Sequence, residues 1–254
     1  MPKALITGAS SGIGLELARI FAREHFDLIL VARSQDRLHE IAGELRAAHT
    51  IAVEVIAKDL SLPEAPVEIH QQAGRVDVLV NNAAFGLYGK FVDFPLADEL
   101  NMMDLNMDAL VALTRLFLPG MIEARSGRIL NVASTAAFQP GPLMALYYAS
   151  KAFVLHFSEA IANELEGTGV TVTALCPGPT ETGFQERASM QDIPLIRMGM
   201  MSAKAVAEAG YRGLIAGKTI VIPGIKNKIG AQSVRFSPRK LVTRLVRKIQ
   251  EKVH

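Results

Sequence analysis

Cys176 is the only cysteine in this sequence, so an intrachain disulfide and a multi-cysteine metal site are both excluded. It ends the apolar run 170–176, where a buried structural thiol is the plainer reading and a reactive thiol the alternative. The six histidines are scattered, with no pair at the helical spacing of a zinc protease, so nothing visible supports metal catalysis. No apolar run approaches the length needed to span a bilayer. Met1, Pro2 and Lys3 pass almost directly into strand-like Ala4, Leu5 and Ile6, which leaves no room for a signal peptide and makes a cytoplasmic location the default expectation.

What is present fits a globular chain: 50% of residues are apolar and 20% charged, a balance that argues against disorder. Short β-like runs at 4–7, 28–32, 51–57, 76–81, 128–133, 170–176 and 219–222 alternate with helical patterns at 13–24, 35–48, 64–73, 96–122, 147–166 and 203–215. That alternation predicts an α/β fold, a Rossmann-like, doubly wound, parallel seven-stranded sheet with helices on both faces. With no repeat, linker or low-complexity block, residues 1–254 read as one domain. The net charge of +2 conceals an asymmetry. From Lys226 onward there are nine Lys/Arg and one acid, a local charge of +8 that leaves −6 on the rest of the chain.

The first strand is followed by Thr7, Gly8, Ala9, Ser10, Ser11, Gly12, Ile13 and Gly14, which open the first helix. Backbone N–H groups here and the helix's positive end can meet a pyrophosphate. Gly8 permits the tight turn, Gly12 removes a side chain that would block the phosphates, and Gly14 allows helix and strand to pack closely. A turn needing positive φ explains the same glycines without a ligand. An acid selecting NAD belongs roughly 20 residues further on, at the end of the second strand. That position reads Val31, Ala32, Arg33, Ser34, with no carboxylate; the Arg33 guanidinium suits the 2′-phosphate of NADP(H). Arg37 could help or simply decorate the next helix.

Tyr147 and Lys151 are four residues apart on a helical pattern, hence on one face. An ammonium there favours phenolate, bringing a phenol of reference pKa about 10 nearer to working range as a base. Tyr148 competes, at a spacing of three. Ser134 follows the fifth strand at the carboxyl edge of the sheet, where its hydroxyl can polarise a substrate carbonyl or merely cap a turn. Asn81 and Asn82 close the fourth strand beside the glycine loop, where their side chains can fix loop backbone groups.

Together these motifs resemble the short-chain dehydrogenase/reductase family in its single-domain, non-extended form, over about residues 2–223. Thr7, Gly8, Gly12 and Gly14 match its glycine pattern. Asn81, Asn82 and Ala83 match its Asn-Asn-Ala-Gly element, with Ala84 in place of glycine. Ser134, Tyr147, Lys151 and Asn106 match its catalytic tetrad. The resemblance implies that Tyr147 donates the proton to the carbonyl oxygen, Lys151 holds the nicotinamide ribose and tunes Tyr147, and Asn106 supports a water-mediated relay. It also implies that Pro177, Gly178 and Thr182 lie at the nicotinamide, that Asp59, with Leu60 beside it, lies at the adenine, and that the chain forms a homodimer or homotetramer.

The segment 180–201 corresponds to the family's substrate lid. Its Phe184, Met190, Ile193, Pro194, Leu195, Ile196, Met198, Met200 and Met201 suit closure over an apolar substrate or packing against protein. Phe85, Leu87, Tyr88, Phe138, Leu143 and Met144 are expected near the pocket. A hydrophobic carbonyl or alcohol follows, rather than a sugar. The residues 238–254 predict a basic amphipathic helix with Leu241, Val242, Leu245, Val246, Ile249 and Val253 in one stripe. Such a helix either docks on protein or makes peripheral contact with an anionic membrane. Nucleic-acid binding is not expected, since Phe236 is the stretch's one aromatic and no binding motif accompanies it. The competing function is a catalytically idle NADP(H)-binding or membrane-associated scaffold.

Overall fold

A computed structural model describes residues 1–184, 188 and 199–251. Seven strands form one parallel sheet: β1 (Lys3–Thr7), β2 (Asp27–Ala32), β3 (Val53–Ala57), β4 (Val78–Asn81), β5 (Gly127–Val132), β6 (Val170–Leu175) and β9 (Ile220–Val221). Their order is β3-β2-β1-β4-β5-β6-β9. Each predicted strand is found, and the fold is the Rossmann-like one expected. A short pair, β7 (Thr180–Glu181) with β8 (Met201–Ser202), lies apart from the sheet.

Strands buried on both faces must be apolar at successive positions, since side chains alternate. In β1, Ala4 and Ile6 enter one core and Leu5 the other. Helices α1 (Gly12–Arg23), α2 (Gln35–Ala48) and α7 (Ala203–Ile215) cover the first face through Leu17, Phe21, Leu38, Ile41 and Val206. Helices α3 (Ala65–Ala73) and α5 (Ala109–Glu123) cover the second through Ile69, Leu113 and Phe117. The chain winds outward from β1 in both directions, so a crevice opens at the carboxyl ends of β1 and β4.

Three sequence expectations change. The helix expected over 96–122 is interrupted: α4 (Leu96–Met103) and α5 are joined by a π-helical turn, Asp104–Asp108. The stretch Leu96–Glu123 is also long and apolar enough to cross a membrane by length and composition, contrary to the sequence reading. Packing accounts for part of its apolarity, for Leu113, Phe117 and Met121 lie in the core against Leu79 and Ile129, while Leu96, Leu100 and Ile122 are exposed. After α6 (Ala145–Glu164) and α7, the unexpected helix α8 (Ile225–Ser233) precedes α9 (Arg239–Gln250), the predicted C-terminal helix. Residues 252–254, including Val253, and most of the expected lid, including Met190, Ile193, Pro194, Leu195, Ile196 and Met198, lie outside the described residues.

Candidate active site

The glycine loop is held by side chains from the neighbouring strand. Thr7 Oγ1 donates to Val80 O at 3.1 Å and accepts from Asn82 N at 2.9 Å and Ala83 N at 3.0 Å. Asn82 Nδ2 returns to Thr7 O at 2.9 Å and Gly8 O at 3.3 Å. These bonds join the ends of β1 and β4. Gly8 and Gly12 have φ of +65° and +56°, a region costly for side chains with a Cβ. A Cβ on Gly12 would stand 2.9 Å from Thr182 Cγ2, and one on Gly14 would stand 2.3 Å from Gly8 O. Gly14 therefore serves the packing of helix against loop. It is buried and is not among the residues lining the cavity.

A cavity of about 470 Å³ runs along the carboxyl edge of the sheet. At one end are Ala32, Arg33, Ser34, Lys58, Asp59 and Leu60; in the middle Gly8, Ser10, Ser11, Gly12, Ile13, Asn82 and Ala83; at the other end Ser134, Tyr147, Lys151, Pro177, Gly178 and Thr182. The sequence therefore placed nearly all its candidates on one surface. Arg33 Nη1 lies 3.8 Å from Asp59 Oδ2, with the guanidinium well exposed. Arg37 pairs with Glu40 at 2.5 Å and does not reach the wall. Lys58, ion-paired with Glu68, was missed; parallel pairing of β2 with β3 carries it to Ala32, whose carbonyl accepts from Lys58 N at 3.0 Å.

Ser134 both caps and faces the site. Its Oγ accepts from Ala136 N at 3.0 Å at the start of a 3-10 turn, and it also bonds Tyr147. Burial pushes the Tyr147 phenol up to about 12, and the Ser134 bond offsets part of that rise. Lys151 stands 5.8 Å from the centre of the Tyr147 ring, and its Nζ donates to Val132 O at 2.9 Å. Burial lowers Lys151 itself to about 8. Burial thus dominates both groups: Lys151 is buried and Tyr147 half-buried, facing the cavity.

Asn106 is 2% exposed and is not among the residues lining the cavity. The π-helical turn aims it at the loop after β4. Its Oδ1 accepts from Phe85 N at 3.1 Å, while Nδ2 donates to Phe85 O at 2.9 Å and Ser150 Oγ at 3.2 Å. Asn106 fixes that loop against α6. Of the loop residues expected near the pocket, Met144 alone lines it. Phe85 is buried behind the wall, and Tyr88 and Phe138 pack into apolar clusters. Leu105, Gln139 and Ile249 line it without having been anticipated, and Tyr148, the competing tyrosine, lines it as well. Cys176 is fully buried and its thiol is raised to about 12 by burial, which supports the structural reading.

Tested against the dinucleotide, the residues fit: two positive-φ glycines remove side chains from the loop, a helix begins at Gly12, and a guanidinium lies at the far end of the same cavity. The architecture and this site define a dinucleotide-binding α/β protein with a tyrosine, a lysine and a serine at the reacting end. The profile of the short chain dehydrogenase family matches residues 2–192, and the chain belongs to that family. Ketoacyl reductase HetN of Nostoc sp. is 35% identical over 238 residues, spanning 92% of this chain and 78% of that protein. A short-chain dehydrogenase from Sphingobium yanoikuyae, solved in complex with NADPH, superposes with TM-score 0.86 at 32% identity, covering 95% of both chains. The bulky-bulky ketone specific alcohol dehydrogenase from Comamonas testosteroni gives 0.79 at 28% identity, covering 94% of this chain and 96% of that one.

Proposed function

We propose that this oxidoreductase uses NADP(H) to interconvert a carbonyl and an alcohol on a hydrophobic substrate, with Tyr147 as acid/base. The observation that carries this is the convergence of Ser134, Tyr147 and Lys151 with the glycine loop on one cavity. When bound, the dinucleotide supplies hydride to the carbonyl carbon and is itself oxidised from NADPH to NADP⁺. Tyr147 gives its phenolic proton to the carbonyl oxygen, and a solvent proton restores it; the reverse direction runs the same transfers backward. Ser134 hydrogen-bonds the oxygen as negative charge develops there. Lys151 supports the ribose and the phenol, and Asn106 holds the loop beside them. Gly8, Ser10, Ser11, Gly12 and Ile13 carry the pyrophosphate, Arg33 the 2′-phosphate, Asp59 and Leu60 the adenine, and Pro177, Gly178 and Thr182 the carboxamide.

Leu105, Met144, Phe184 and Ile249 make the reacting end apolar, which supports a lipid-like or otherwise bulky carbonyl. The relatives' names, a ketoacyl reductase and a bulky-ketone dehydrogenase, point the same way. Homodimer or homotetramer assembly remains part of this reading; exposed Val92, Leu96 and Leu100 offer an apolar surface for it. The outer face of α9, with exposed Leu241 and Leu245 among Arg239, Lys240, Arg244 and Lys248, supports peripheral contact with anionic lipid.

The test is NADPH consumption over a panel of apolar ketones and 3-oxoacyl thioesters. Tyr147→Phe is expected to bind NADPH as before while losing at least about 100-fold in turnover. Undiminished turnover rejects the acid/base role. NADPH binding with no turnover of any carbonyl by the unaltered protein favours the idle scaffold instead.

A further inference from the structure

Helix α9 is basic along most of its length, yet Gln250, its last residue, is fully buried. Burying an amide is unfavourable unless partners satisfy it, so its surroundings are informative. Gln250 Nε2 donates to Tyr148 Oη, and the Gln250 carbonyl accepts from Tyr88 Oη. One and two turns earlier, Val246 and Val242 pack on the same face into a cluster with Ala136, Met144 and Tyr148. Next to this stripe, Ile249 reaches the cavity wall. The contacts therefore close a loop through space: a helix almost at the end of the chain is pinned to the residue after Tyr147, and the two tyrosine rings lie 6.1 Å apart, edge to face.

One detail makes the attachment a latch. Among the described residues, Gln250 Oε1 is buried with no hydrogen-bond partner, so half of the amide holds the helix and half goes unsatisfied. Its outer face adds little, since Leu241 and Leu245 are exposed. Few bonds oppose its release.

We propose that α9 is a latched wall of the substrate chamber, in which Ile249 sets the size of the substrate's apolar part and Gln250, through Tyr148 and Tyr88, is the positioning residue that holds the wall in place. This rests on the carbonyl-reductase reading of the same cavity. Trimming Ile249 lengthens the chamber away from Tyr147. Breaking the latch loosens the wall without touching the reacting atoms, so it acts on KM before kcat.

The experiment compares the full chain with its variants on acetoacetyl and 3-oxododecanoyl thioesters at saturating NADPH, alongside hydrogen exchange of α9. Ile249→Ala, which removes three carbons, is expected to shift the kcat/KM ratio toward the long chain by about tenfold or more. Gln250→Leu keeps the shape and loses the bond; it is expected to raise KM severalfold for the short chain and to speed exchange across Arg239–Gln250. Tyr148→Phe should reproduce both effects, and combining it with Gln250→Leu should add nothing further. Thr243→Ala, on the helix but outside the stripe, should leave the ratio unchanged. An unmoved chain-length ratio in Ile249→Ala overturns the wall, and additive effects of the Gln250 and Tyr148 changes overturn the latch. If the unaltered protein reduces no carbonyl, the activity reading fails, and the exchange measurement, which needs no turnover, decides the proposal alone: unchanged exchange in both variants rejects it.

Discussion

Lys151 Nζ donates to the carbonyl oxygen of Val132 at 2.9 Å, so an ammonium that is 4% exposed ties α6 to the end of β5. One carbonyl is a thin replacement for water around a cation, and burial accordingly lowers the group from 10.5 to about 8. The folded state thus begins to release this proton near pH 8, while the unfolded chain holds it to about 10.5. Between those values the unfolded state binds more protons, so the Lys151 contribution to stability rises with pH. Tyr147, raised from 10 to about 12, acts in the opposite sense, and its contribution falls as pH passes 10. The expected result is that the melting temperature of the unaltered protein gains on that of Lys151→Met between pH 8 and 10. A constant difference across that range rejects the buried, charged lysine.

How far the sequence carried the fold follows from where the information lies. The seven strands were legible because each is a short apolar run, and β1 needs nothing beyond its unbroken Ala4, Leu5 and Ile6 to say that both faces are covered. The π-helical turn at Asp104–Asp108 was not legible, because its cause is tertiary: Asn106 has to meet Phe85 and Ser150. Helix α8, with Lys226, Asn227, Lys228 and Gly230 breaking any stripe, had too weak a period to be seen. In the site, motif residues were found by spacing, whereas Lys58 required the neighbour relation of β2 and β3, and Ile249 required knowing what the apolar stripe of α9 docks upon. A stripe announces that a face will be covered, not by what.

Two glycines on helices should respond to alanine with opposite signs. A Cβ on Gly14 would lie 2.3 Å from Gly8 O and 2.5 Å from Asn82 Nδ2, so Gly14→Ala forces the loop away from α1. A loss of about 1–3 kcal/mol and weaker NADPH binding are expected together. Gly43, inside α2, has nothing within 4 Å, and Gly43→Ala should gain about 0.5–1 kcal/mol through helix propensity alone. Urea titrations of both variants check the pair. Equal and small effects mean that the loop has room it is not shown to have.

The basic end of the cavity makes a graded prediction for cofactor choice. Arg33 is loosely held, 3.8 Å from Asp59, and its side chain is 60% exposed, so it is free to turn toward a phosphate. Lys58 would first have to leave Glu68. Arg33→Ala should therefore weaken NADPH about tenfold or more while changing NADH little, and Lys58→Ala should do less. Fluorescence titration with both nucleotides gives the ratio directly. An unchanged NADPH-to-NADH preference in Arg33→Ala rejects the phosphate-reading role.

Membrane contact needs a test that spares the active site. Deleting residues 238–254 would remove Val242, Val246 and Gln250 along with the outer face, confounding lipid binding with loss of the wall described above. Leu241 and Leu245 avoid this difficulty, being 58% and 59% exposed one turn apart. Replacing both by serine should leave the melting temperature within about a degree, because exposed sites contribute little to folding. If the outer face enters the headgroup boundary, two leucines are worth about 3–6 kcal/mol at most, so sedimentation with phosphatidylserine vesicles should fall by at least tenfold. Raising the salt should weaken the binding of the unaltered protein as well, since Arg239, Lys240, Arg244 and Lys248 act through screened charge. Vesicle binding that is indifferent to both the serines and the salt leaves the outer face of α9 without a lipid role.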